Sequence, residues 1–180
     1  MKYYRTTSLS HKICLDYITK DSIVIDATCG NGHDTLFLCQ NSKFCFAFDI
    51  QEGAIKNTEA LLKANNIMNY QLIKDSHENF YNYCLKCDLV LFNLGYLPKG
   101  NKENSTQAEI TLLTIKKIID KLEFKLILLV IYPGHSEGKK ESQLLEKFLK
   151  SICQKTYNVF KFYNLNQIET APYILGIEKK

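Results

Sequence analysis

The feature that most constrains this chain is a repeated unit, a short apolar segment closing on a polar residue and followed by an amphipathic helix. Residues 22–26 form such a segment ending in Asp26, and residues 33–40 continue as a helix after the turn Thr28-Cys29-Gly30-Asn31-Gly32. Residues 44–48 run into Asp49, and residues 51–65 place Ala54, Ile55, Leu61 and Leu62 on one helical face. Residues 70–73 lead to Asp75, and residues 89–92 lead to Asn93. A helix over 106–122, a strand over 126–132 and a helix over 137–152 complete the alternation, with a short opening helix at 8–18. The last two strands, 156–162 and 174–177, have no helix between them and predict an antiparallel hairpin at a sheet edge. Strands alternating with helices require a mostly parallel sheet covered on both faces, here seven-stranded. Right-handed crossovers then gather Asp26, Asp49, Asp75, Asn93 and His135 on one rim.

A chain of 180 residues suits a single domain, 1–180, with a substantial core. The longest apolar run, residues 126–131, has the length of a buried strand and not of a membrane span. The first ten residues lack the apolar stretch of a secretory leader, so the expected location is cytoplasmic. Seven cysteines, an odd number, then read as free thiols. Cys84 and Cys87 have C-x-x-C spacing, but no second pair follows, and the pair reads as structural. The four histidines lack metal-ligand spacing, so no metal is expected. A net charge of +4, from 22 lysines and one arginine, permits nucleic-acid contact without demanding it.

In open α/β sheets, ligands bind beyond the carboxyl ends of the strands. Gly30 and Gly32 allow a sharp turn and a close backbone approach. Asp49, seventeen residues after Gly32, can accept the hydroxyls of a ribose, and Asp75 can accept an adenine amino group. Three such positions on successive strands suit an adenosine-containing cofactor. NAD shares part of this pattern, but a dinucleotide turn wants a small residue where Thr35 stands, and the charge of Asp26 opposes a pyrophosphate. An acid at that place suits the cationic methionine end of S-adenosylmethionine.

Asn93-Leu94-Gly95-Tyr96 falls at the end of the fourth strand, where an acceptor would meet the methyl group. Methyl transfer is an in-line displacement, so the protein mainly positions the nucleophile. A carboxamide oxygen can hold an amine, and Tyr96 can stack on a planar base. The block is similar to the Asn/Asp-Pro-Pro-Tyr signature of amino-group methyltransferases, with Leu94 and Gly95 in place of the prolines. His135, in Tyr132-Pro133-Gly134-His135-Ser136-Glu137-Gly138, reads equally as a base or as a substrate-positioning group.

Several segments together resemble a known family, the small bacterial class I methyltransferases long labelled rRNA methylases. They are the run from Ile25 to Leu38, Phe48-Asp49-Ile50-Gln51, Asp75-Ser76-His77-Glu78, and Phe92-Asn93-Leu94-Gly95-Tyr96-Leu97-Pro98. The run from Val130 to Gly138, Asn166-Gln167 and Pro172-Tyr173 extend the resemblance over nearly the whole chain. Pro133 departs from the histidine expected there in many relatives. The resemblance implies a Rossmann-like class I fold and S-adenosylmethionine as cofactor. It implies methylation of the amine of 5-aminomethyl-2-thiouridine at the tRNA wobble position, giving the 5-methylaminomethyl form. It implies a cofactor pocket at Asp26, Thr28, Gly30, Asn31, Gly32, His33, Asp34, Asp49, Ile50, Gln51, Asp75, Ser76, His77 and Asn93. Asn93, Tyr96 and His135 would be catalytic, and Leu94, Gly95, Tyr96, Pro98, His135, Asn166 and Gln167 would face the substrate. The implied partner is the tRNA anticodon stem-loop, with phosphate contacts from lysines such as Lys99, Lys102, Lys139 and Lys140; for the last two an ordinary charged helix face is an equal reading. Size and family habit suggest a homodimer. Three alternatives stay open: a class I enzyme acting on another amine, an RNA-binding module that retains the fold, and an NAD-linked oxidoreductase.

Overall fold

The computed structural model describes residues 5–95 and 108–180. Seven strands form one sheet: β1 (Ile23–Asp26), β2 (Phe44–Phe48), β3 (Tyr70–Ile73), β4 (Leu89–Leu94), β5 (Leu126–Ile131), β6 (Tyr157–Phe162) and β7 (Tyr173–Lys179). Their order is β3-β2-β1-β4-β5-β7-β6. All neighbours are parallel except at β7, which runs antiparallel to both β5 and β6. The expected parallel sheet with a closing hairpin is therefore present. The order reverses between β1 and β4, which makes their shared carboxyl end the crevice where such sheets bind ligands.

Helices α1 (Thr6–Leu15), α2 (His33–Asn41) and α3 (Glu52–Ala64) cover one face, and α4 (Ala108–Lys121) and α5 (Ser136–Leu149) cover the other. β4 and β5 lie between both layers, and every residue of β5 is buried, which explains its unbroken apolar run. Two features differ from the sequence expectation. β4 extends through Asn93 and Leu94, which pair with Val130 and Ile131, so the acceptor asparagine stands on rigid strand. A 3-10 turn over His77–Asn82 fills the segment after β3, capped by Ser76. The seven cysteines are free, and six of them, Cys84 and Cys87 included, are buried. Burial raises the thiols of both members of that pair, in keeping with a structural role.

One buried carboxyl gives a pH signature. Glu141 of α5 is 3% exposed, accepts the Thr111 hydroxyl of α4 at 2.7 Å, and is pushed by burial up to about 7. A carboxyl raised in the folded state contributes stability that is complete below its unfolded value and is lost as pH rises through 7. Glu141→Gln keeps an acceptor for Thr111 and removes that loss. It is expected to be about 1–3 kcal/mol more stable than wild type at pH 8, with the gap closing near pH 5. Urea unfolding at the two pH values measures this, and equal stabilities at pH 8 contradict it.

Candidate active site

The turn between β1 and α2 is shaped by its glycines. Gly30 and Gly32 have φ of 54° and 83°, the left-handed region. A Cβ on Gly32 would stand 2.9 Å from the Thr58 backbone of α3, so the turn and α3 touch directly. Gly32→Ala is expected to lower stability by about 1–3 kcal/mol through strain and contact together. A melting temperature equal to wild type would refute that account.

Acids tie the turn to its neighbours. Asp26 is fully buried, and its two oxygens accept the Thr28 N–H at 3.1 Å and the Thr35 hydroxyl at 2.6 Å. Burial, reinforced by the Asp34 charge, raises Asp26 to about 7. It thus sits beneath the turn and sets its shape. Asp49 accepts the Gly30 N–H at 3.1 Å and the Gln51 N–H at 2.9 Å, one on each oxygen. A carboxylate has about four lone-pair sites, so this one keeps acceptor capacity toward the rim. Partial burial raises it, opposed by those backbone donors. Ile50 beside it is more than half exposed. Asp75 takes the Ser76 N–H and the Asn79 amide on one oxygen, and holds its other against the Tyr83 hydroxyl at 3.4 Å. Asn31 and His33 are exposed at the turn.

His77 turns away from this crevice. Its Nδ1 meets the Thr114 hydroxyl of α4 at 2.9 Å, and its ring lies edge-on to Phe92. Burial lowers it to about 4, so it stays neutral. Leu94 likewise packs into the core.

Asn93 occupies the switch point. Its N–H donates to the Thr28 hydroxyl at 2.8 Å, and its side-chain amide donates to Asp34 at 2.7 Å. The other oxygen of Asp34 lies 2.6 Å from Nε2 of His11 on α1. Tyr132, directly after β5, lies close to Thr7 of α1 and to Asn93. Its ring edge would be 3.6 Å from a Cβ on Gly95. Sequence reading missed His11, Thr7 and Tyr132. Tyr132 opens the Tyr-Pro-Gly-His block and could have been found there, whereas α1 carries no motif.

His135 caps α5, its Nδ1 accepting the Gly138 N–H at 3.1 Å. A Cβ on Gly138 would stand 2.1 Å from the Tyr132 carbonyl oxygen, so glycine is required for the cap to close. With Nδ1 accepting, a ring proton must sit on Nε2. Asn166 and Gln167 lie in the exposed β6–β7 loop, which reaches the same corner, since Thr170 O is 3.5 Å from a Cβ on Gly134. Lys139 and Lys140 are exposed on α5, and Lys140 pairs with Glu109 at 2.7 Å. Tyr96, Pro98, Lys99 and Lys102 fall outside the described residues. Among the described residues no acid, histidine and cysteine cluster could hold a metal, and no helix is long and apolar enough to cross a membrane.

Residues 45–178 match the family described as "Putative rRNA methylase". The chain belongs to this family. It is 33% identical, over 98% of its length and 70% of the relative's, to the chloroplastic tRNA (mnm(5)s(2)U34)-methyltransferase of Arabidopsis thaliana. Among solved structures it is similar to an rRNA-methylase from Clostridium thermocellum, with a TM-score of 0.93 and 36% identity over the whole of both chains. It is similar also to a methyltransferase from Streptococcus mutans in complex with SAH, with a TM-score of 0.90 and 38% identity over 99% of this chain and all of that one. The Rossmann-like sheet order is thus that of this methyltransferase family.

Proposed function

We propose that this protein methylates the amine of 5-aminomethyl-2-thiouridine at the wobble position of tRNA, using S-adenosylmethionine. The observation that carries the reading is the fixed carboxamide of Asn93 at the switch point, with its amide nitrogen committed to Asp34. Its carbonyl oxygen has two lone pairs, and so can accept from an incoming amine as well as from a neighbour. The activity of the Arabidopsis relative supplies the substrate class, and the SAH complex of the Streptococcus relative supports the cofactor.

The residues fit that cofactor. The left-handed glycine turn permits close approach, Asp49 retains lone pairs for ribose hydroxyls, Ile50 offers an apolar surface beside them, and Asp75 retains acceptor capacity at the next strand. When bound, S-adenosylmethionine supplies an electrophilic methyl group on a sulfonium. An alkylamine has a pKa near that of lysine, about 10.4, so it must shed a proton before it can attack. Asn93 would then hold the neutral amine by accepting one of its N–H groups, which leaves the amine lone pair free for methylation. The cap on α5 occupies the Nδ1 lone pair of His135, which supports a positioning role for that residue over a basic one.

Nucleoside analysis of tRNA from a strain lacking the gene tests the assignment. The expected result is loss of 5-methylaminomethyl-2-thiouridine with accumulation of the aminomethyl form. An unchanged tRNA profile would move the assignment to another amine.

A further inference from the structure

We infer that helix α1 belongs to the catalytic machinery, with His11 a positioning residue that acts through Asp34 to fix which way the Asn93 carboxamide faces. The inference rests on the reading of Asn93 as the holder of the amine. Asp34 is 8% exposed and has two protein partners, His11 at 2.6 Å and the Asn93 amide nitrogen at 2.7 Å, one on each oxygen. A buried carboxylate is tolerated only when paired, so both contacts hold it in place.

An ionised carboxylate accepts and cannot donate. It therefore rejects the flipped amide, which would bring the Asn93 oxygen to its own oxygen at 2.7 Å. Asp34 is thereby a filter that leaves the carboxamide oxygen for the substrate side. His11 keeps the filter aligned. Its ring is stacked on Phe37, one turn beyond Asp34, with centroids 3.8 Å apart and planes 2° from parallel. α1 is itself docked at a further point, Thr6 donating to the Pro172 carbonyl at 3.2 Å, and its Thr7 lies close to Tyr132. A purely structural His11 would need only the stack.

The test separates stack from hydrogen bond. His11→Phe keeps a flat ring on Phe37 and removes the donor to Asp34, whereas His11→Gln offers an amide donor without the ring. For His11→Phe we expect kcat to fall about tenfold or more with the Kd for S-adenosylmethionine within about twofold, as misplacement of a reacting group would give. His11→Gln should recover part of that loss. In an Asn93→Ala background the His11→Phe change should cost nothing more, because the group it orients is gone.

The side-chain amide resonances of Asn93, identified by their disappearance in Asn93→Ala, report the same coupling without any substrate. They should shift or broaden in His11→Phe. Full kcat in His11→Phe, an additive loss in the double variant, or unmoved Asn93 resonances would each overturn the inference. Full activity of Asn93→Ala on its own would instead overturn the reading of Asn93 on which it rests.

Discussion

Asn93→Ala is expected to lower kcat by about 100-fold or more while leaving the affinity for S-adenosylmethionine within about twofold of wild type. The asparagine is held at two points, its N–H by the Thr28 hydroxyl and its side-chain amide by Asp34. That much organisation around one small side chain suits a group whose direction matters. Alanine keeps the strand pairing with Val130, so the fold should survive the change. The loss should fall on the transfer step and not on cofactor binding, since the cofactor contacts proposed here lie on β1, β2 and β3. Single-turnover assay with calorimetry on the same samples separates the two. An active Asn93→Ala enzyme would refute the amine-holding role, and a lost cofactor affinity would assign the side chain to the cofactor instead.

Asp49→Ala should weaken S-adenosylmethionine binding by about 10- to 100-fold, the range for losing one or two hydrogen bonds to a charged acceptor. Two effects act together. The ribose loses its acceptor, and the Gly30 N–H loses the partner that holds the glycine turn against β2. Asp49→Asn keeps an acceptor oxygen and should fall between wild type and alanine. If calorimetry finds alanine and wild type equal, the cofactor does not use this strand end.

Much of this architecture was legible from the chain. The strand segments stood out because β5 is wholly apolar and buried and β4 is interrupted only by Asn93, and acids marked the ends of β1, β2 and β3. The missing helix between β6 and β7 announced the antiparallel edge. What escaped was the wiring between elements distant in sequence. His11 and Asp34 are 23 positions apart, Asn93 and Asp34 are 59 apart, and Thr6 and Pro172 are 166 apart. A histidine inside an unremarkable helix signals nothing until the helix is docked.

The same limit explains His77. A histidine next to a rim acid looks exposed to ligand, but the 3-10 turn after Asp75 rotates it onto Thr114 of α4. Asp26 illustrates a subtler point. Its position at the end of β1 predicts proximity to the cofactor, and burial decides that its carboxyl shapes the turn from beneath. Leu94 sits in the acceptor block by sequence and in the core by packing, because β4 continues two residues beyond the predicted strand.

The most direct measurement is mass spectrometry of nucleosides from tRNA bearing 5-aminomethyl-2-thiouridine, after incubation with the purified protein and S-adenosylmethionine. The prediction is the mass of one added methyl group on that nucleoside and on no other, absent when Asn93→Ala replaces the wild-type protein. An unmodified nucleoside, in a preparation shown by calorimetry to bind S-adenosylmethionine, would contradict the substrate assignment.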